Sequence, residues 1–156
     1  MVSGDELRSL LRRFPAGVAV VTVDVREERL GLTVGSLVSL SLEPPLVGVS
    51  IRREAALHEL LREAGAFSVS LLAAGQEDVA AHFARGVPPI ALWVGVETRP
   101  GTGAPLLAGA LGWLECRVAG EWEAGDHTLF AGEVVRVEAG VVAPPLLYLD
   151  GRYVSA

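Results

Sequence analysis

Lysine and asparagine are absent from this chain of 156 residues, and cysteine, methionine and glutamine each occur once. All thirteen basic residues are therefore arginine, which excludes lysine Schiff-base chemistry and the lysine of a P-loop. Cys116, alone, forms no internal disulfide, and its neighbours Leu114 and Val118 predict a buried structural thiol. Clusters of basic residues are lacking and the formal charge is −6, so the chain has no electrostatic footprint for nucleic acid. No apolar run reaches the roughly 18 to 20 residues of a membrane span. The N-terminus, MVSGDELRSLLRRF, carries its acidic residues, Asp5 and Glu6, where a signal peptide would be basic, which points to a cytoplasmic protein.

What is present describes a globular domain. The composition is 51% hydrophobic and 21% charged, and a compact chain of this size buries about 70% of its unfolded surface. Residues 1–156 read as one domain. Mean hydropathy is high, consistent either with apolar surface hidden in a subunit interface or with a valine-rich sheet core.

Periodicity predicts an amphipathic helix over Asp5–Arg13, stopped by Pro15, and a second over Glu54–Ala64, stopped by Gly65. A third covers Gln76–Arg85. VAVVTVDV from Val18 reads as a central strand followed by a charged turn at 26–29, and LVGVSI and FSVSLLA read as further buried strands. Residues 86–105 are rich in proline and glycine and read as a loop with a short strand at Ala91–Val94. Strands are predicted over Ala110–Val118, His127–Glu138 and Leu146–Leu149. Strands dominate and helices fall singly between them, so an antiparallel barrel fits better than a doubly wound sheet.

Several chemistries are excluded. GTGAPL at 101–106 lacks the third glycine of a dinucleotide fingerprint and the strand and helix that should flank it. His58, His82 and His127 have no zinc-site spacing, and no GxSxG elbow is present. What remains is GLTVGSLVSLSLEPPLV at 31–47. Its hydroxyls at Thr33, Ser36, Ser39 and Ser41, with backbone N–H groups around Gly35, form a candidate phosphate cradle with Arg52 or Arg53 as counter-charge. The plain alternative is an ordinary strand whose hydroxyls face solvent. His127 follows a Gly-Asp turn and opens a strand, where it either projects into a cleft, oriented by Asp126, or merely caps the surface.

FPAGVAVVTV, GLTVGSLVSLSLEPPLVGVSI, ALHELLREAGAFSVSLLAAGQEDVAAHFA, GAPLLAGALGWLECRV, GDHTLFAGEV and PLLYLDGRYV follow one another from Phe14 to Val154. In this order they resemble the flavin reductase-like family with an FMN-binding split barrel, the small reductase components of two-component flavin monooxygenases. The resemblance implies a mainly β, six-stranded antiparallel Greek-key split barrel with a few short flanking helices. It further implies a homodimer that binds FMN, or FAD, non-covalently, takes hydride from NADH or NADPH, and supplies reduced flavin to an oxygenase component. The flavin contacts it implies are Leu32, Thr33, Val34, Gly35, Ser36 and Ser39; Ser50, Ile51, Arg52 and Arg53; and Ala81, His82 and Phe83. His127 and Tyr153 are implied on the nicotinamide side, and no metal is implied. Relatives often carry Asn, Ala or Ser where this chain has Gly35, and Asn where it has Ser70. A flavin-binding electron-transfer or storage protein is the alternative the same cradle would serve.

Overall fold

The computed structural model describes residues 1–156. In chain order its elements are α1 (Gly4–Leu11), β1 (Ala16–Gly17), β2 (Ala19–Val25), β3 (Glu28–Val34), β4 (Val38–Leu42), β5 (Pro45–Arg52), α2 (Ala56–Ala64), β6 (Ala66–Leu71), α3 (Glu77–Ala84) and α4 (Pro89–Leu92). They continue with β7 (Thr98–Arg99), β8 (Leu106–Leu107), β9 (Gly112–Ala124), β10 (His127–Ala139), β11 (Leu146–Leu149) and β12 (Arg152–Ser155). No helix is long and apolar enough to cross a membrane.

The main sheet is antiparallel, in the order β3-β2-β6-β9-β10-β5-β4. It has seven strands where six were expected, because the hydroxyl-rich stretch supplies two: β3 ends at Val34 and β4 resumes at Val38. The two outer strands, β3 and β4, are not hydrogen-bonded to each other, so the sheet curls without closing. A three-stranded sheet β1-β11-β12 and a pair β7-β8 complete the fold. Between β2 and β3 the chain reverses at Arg26 and Glu27, both with positive φ (52° and 66°), the geometry that matches the twist of a two-residue hairpin.

The β-branched run in β2 is buried on both faces, with Val20, Val21 and Val23 fully enclosed. α2 lays Leu57 and Leu61 into the same core, where they meet Phe67, Phe83 and Phe130, and Gly65 ends the helix in the left-handed conformation. α1 begins with a capping box between Ser3 and Glu6 and buries none of its residues. The short strand expected at Ala91–Val94 is instead helix α4. Pro88 and Pro89 hold the φ that suits a first helical turn, and the Ala91 N–H donates to the Pro88 carbonyl at 2.9 Å. β9 runs to Ala124, beyond the expected Val118, because its polar outer half pairs with β10 in a long hairpin arm.

Cys116 is 3% exposed, and burial, reinforced by Glu115, pushes its thiol up to about 12. The reactive thiolate is thus suppressed near neutral pH. Native protein at pH 8 is expected to resist a thiol-specific disulfide reagent for hours and to react with one equivalent within minutes in denaturant; rapid native labelling would show that β9 is not packed as described.

Candidate functional site

β4 pairs with β5 only from Pro45 to Gly48. Beyond Gly48 that edge of β5 has no strand partner, while its other edge stays paired with β10 as far as Arg52 opposite His127. Backbone groups on an open edge require substitutes. Ser36 provides one: its Oγ accepts from the Ser50 N–H at 3.0 Å and donates to the Ser50 carbonyl at 3.1 Å. Strand alternation points the Arg52 amide along the same open edge. The split between β3 and β5 is thus held by a single hydroxyl and leaves the Arg52 amide facing the gap.

Around this split the expected residues divide by role. The Thr33 hydroxyl donates to the Ala80 carbonyl at 2.6 Å, tying β3 to α3 beside Ala81, so its donor is committed and only its lone pairs remain for a ligand. Val34 and Ile51 are buried core residues, which leaves only their main chain for recognition. Ser39 is exposed on β4 opposite Val47, along the other half of β5. Arg53 is paired with Glu123 at 3.2 Å. Arg52 is exposed and forms no ion pair, making it the free cation at this end of the sheet.

Leu32 and Phe83 meet across a cavity of about 300 Å³, whose wall continues through Leu30, Ala55, Val87 and Leu92. Phe83 lies over Gly31, where a Cβ would approach its ring to 2.7 Å, and its ring is 5.3 Å from that of Trp93. His82 bonds through Nε2 to the Leu92 carbonyl at 2.6 Å, so its ring braces α3 against α4, the packing role usual for a histidine on an inner helix face. The N-terminus of α2 opens onto this cavity, and Ala55 gives it no side-chain cap. Unsatisfied N–H groups there favour an anion. Sequence reading passed over Ala55 and Ala56, because the missing cap is a signal only once the helix start is known.

Opposite Arg52, where β5 ends, the Asp126 carboxylate lies 2.7 Å from His127 Nδ1. That hydrogen bond holds the Asp126 carboxyl below its usual range. A carboxylate only accepts, so a neutral His127 carries its proton on Nδ1 and turns Nε2 outward. The imidazole is 40% exposed, which suits a group that meets a diffusing substrate. Tyr153 is half-buried on β12 with its ring 5.4 Å from that of Tyr148. It makes no hydrogen bond or ring contact with His127. Its sheet reaches the split from the other side: Tyr148 pairs with Tyr153 and with Ala16, and a Cβ on Gly35 would stand 3.3 Å from the Ala16 Cβ. The glycine at 35 thus admits β1 to the rim of the split.

Replacing Ser36 by alanine removes the only side-chain substitute on the open edge. It is expected to cost about 1 kcal/mol of stability in a urea titration; an unchanged midpoint would show that the hydroxyl does not bridge the gap.

The arrangement combines an apolar slot, an uncapped helix start, a free arginine, an edge amide and an oriented imidazole. A family model described as flavin reductase like domain matches residues 11–156. The NADH-dependent FAD reductase of Streptomyces globisporus is 41% identical over 155 residues, covering 95% of this chain and 83% of the relative. The reductase component of 4-hydroxyphenylacetate 3-monooxygenase from Thermus thermophilus is 41% identical over 149 residues, covering 96% and 94%. The solved structure of the Streptomyces globisporus NADH:FAD oxidoreductase in complex with NAD and FAD fragments superposes with a TM-score of 0.92 at 38% identity, covering 100% of this chain and 96% of that one. With a family match across nearly the whole chain and relatives at this identity, the protein belongs to the flavin reductase like domain family.

Proposed function

We propose that this protein is an NADH-dependent flavin reductase whose 1–156 domain binds FMN or FAD non-covalently and hands reduced flavin to an oxygenase component. The observation that carries the reading is the split at the open edge of β5, beside which lie an apolar slot reaching the start of α2 and, opposite Arg52, an oriented imidazole. A flavin combines a flat apolar ring with a phosphorylated tail, and so asks for apolar and anion-holding surface side by side. The residues present fit it: Leu32 and Phe83 line an apolar wall, the Arg52 edge amide and the α2 N-terminus suit polar and anionic groups, and the Arg52 side chain supplies charge.

When bound, the flavin supplies a ring that accepts hydride from nicotinamide. The chain's contribution is placement. Ser36 and Thr33 keep β3, β5 and α3 at fixed separation, and His127, held by Asp126, presents Nε2 to the incoming nicotinamide as a hydrogen-bond acceptor. Neither residue needs to exchange a proton with substrate. Rate then comes from near-attack geometry and from excluding water beside the apolar wall.

The finer expectations belong to the same proposal. A split barrel agrees with a sheet that curls without closing. Leu7, Leu10 and Leu11 on α1 and Val38, Leu40 and Leu42 on β4 are exposed large hydrophobics, and such surface supports a homodimer. The reductase component among the relatives supports an oxygenase partner, and a cytoplasmic location fits that role. Ala81 and His82 contribute through the α3 backbone, and Tyr153 through the small sheet that flanks Gly35.

Anaerobic stopped-flow mixing of NADH or NADPH with protein and FMN or FAD tests the reading. Rapid bleaching of the flavin band with NADH is the expected result. Tight flavin binding without nicotinamide-dependent bleaching would instead identify an electron-transfer or storage protein.

A further inference from the structure

α2 carries a polar side chain in the middle of its apolar stripe. His58, between the buried Leu57 and Leu61, is 4% exposed, and both of its ring nitrogens are engaged. Nδ1 lies 3.0 Å from Glu59 Oε1 and Nε2 lies 2.8 Å from Thr128 Oγ1. Because a carboxylate can only accept, the neutral ring carries its proton on Nδ1, and Nε2 accepts from the Thr128 hydroxyl. The same bond holds the Glu59 carboxyl below its usual range. The ring also stands edge-on to Phe130 at 5.4 Å. Thr128 and Phe130 share the inward face of β10, and Thr128, 5% exposed, directly follows His127.

Other links join α2 and the segment before it to the end of the β9–β10 hairpin. The Arg53 N–H donates to the Asp126 carbonyl at 2.9 Å, and ion pairs join Arg53 to Glu123 at 3.2 Å and Arg62 to Glu121 at 3.0 Å. The ion pairs are exposed and screened by salt. The His58–Thr128 bond is buried, so it keeps its strength and leaves two desolvated polar groups unpaired if broken. α2 also follows directly on the Ser50 to Arg53 segment. One helix therefore connects the stretch read as gripping flavin with the residue read as meeting nicotinamide.

We propose that His58 is a positioning residue for NADH oxidation, acting through Thr128 to hold His127 at the distance and angle from the flavin segment that hydride transfer requires. The inference rests on the reading of His127 as the nicotinamide-side residue. His58 touches neither substrate nor flavin in this role. Its buried bond sets where the first turn of β10 sits relative to α2, and a small displacement of His127 there costs rate without unfolding the sheet.

The test compares His58→Phe, His58→Gln, Thr128→Val, the double variant His58→Phe/Thr128→Val, and His127→Ala in the full chain. Phenylalanine retains the packing against Phe130 and loses both hydrogen bonds. Glutamine offers a group able to reach Thr128, and valine keeps the shape of threonine. His58→Phe and Thr128→Val are each expected to lower kcat/KM for NADH about five- to tenfold, the loss of one buried hydrogen bond, with flavin affinity within about twofold of the parent. The double variant should be no worse than either single one, and His58→Gln should recover most of the loss. Parental kcat/KM in Thr128→Val, an equal loss of flavin affinity, or multiplicative effects in the double variant would overturn the proposal, and Thr128→Val alone suffices if His58→Phe does not fold. If His127→Ala reduces flavin normally, the reading of His127 fails and the proposal with it. Slow reduction by His127→Ala beside normal rates in the other variants overturns the His58 proposal alone.

Discussion

His127→Ala is expected to slow NADH-driven flavin reduction by about ten- to a hundredfold, the scale on which lost positioning lowers a rate, while flavin affinity changes by less than about twofold. The side chain is 40% exposed and its side-chain hydrogen bond is to Asp126, so its loss leaves the fold intact. The separation of effects follows from the geometry: His127 lies opposite Arg52 at one end of β5, whereas Leu32 and Phe83 face the apolar cavity bounded by β3, α2 and α3. Stopped-flow reduction rates and a flavin titration check both halves. Asp126→Asn should produce a smaller loss, because an amide can still bond the ring but no longer dictates which nitrogen carries the proton. Equal reduction rates in parent and His127→Ala would move nicotinamide recognition elsewhere.

Phe83→Ala is expected to lower stability by about 3–5 kcal/mol, as for other buried phenylalanines, and to weaken flavin binding at the same time. The ring is 2% exposed, fills the space left by the missing side chain of Gly31, and packs beside Trp93 and His82. It is also a wall of the cavity that contains Leu32. Chemical denaturation and flavin fluorescence report the two effects separately. Phe83→Leu should restore most of the stability, since it refills the volume, and only part of the flavin affinity, since it lacks a flat aromatic face. A stability loss below about 1 kcal/mol would show that Phe83 is not a core residue.

Much of the secondary structure was legible because its signals are local. β2 was recognisable from its run of β-branched residues, α2 from leucines spaced along one face and a closing glycine, and β10 from its many β-branched and apolar residues after a Gly-Asp turn. The errors lie where two local signals compete. In residues 86–105, proline at the start of a helical turn and proline in a loop look alike, so α4 was read as strand. The seventh strand escaped because hydroxyls interrupt the stretch at 31–47 without indicating where pairing stops. The polar outer half of β9 carries no hydrophobic period, and only its partner β10 makes it a strand.

The candidate site was legible in outline and not in function. Residue types and order indicated a hydroxyl-rich strand, a Gly-Asp-His turn and a lone inert cysteine, and the resemblance to a family of flavin reductases pointed to flavin. Which hydroxyls are free, which are spent on the fold, and which histidine governs another depended on contacts between residues far apart in the chain. Thr33 reaches Ala80, Ser36 reaches Ser50, and His58 reaches Thr128. A side chain's chemistry is inherent in its type, but its availability is set by whatever partner satisfies it, and hydrogen bonds of long sequence separation exist only once the sheet has curled and the helices have packed against it.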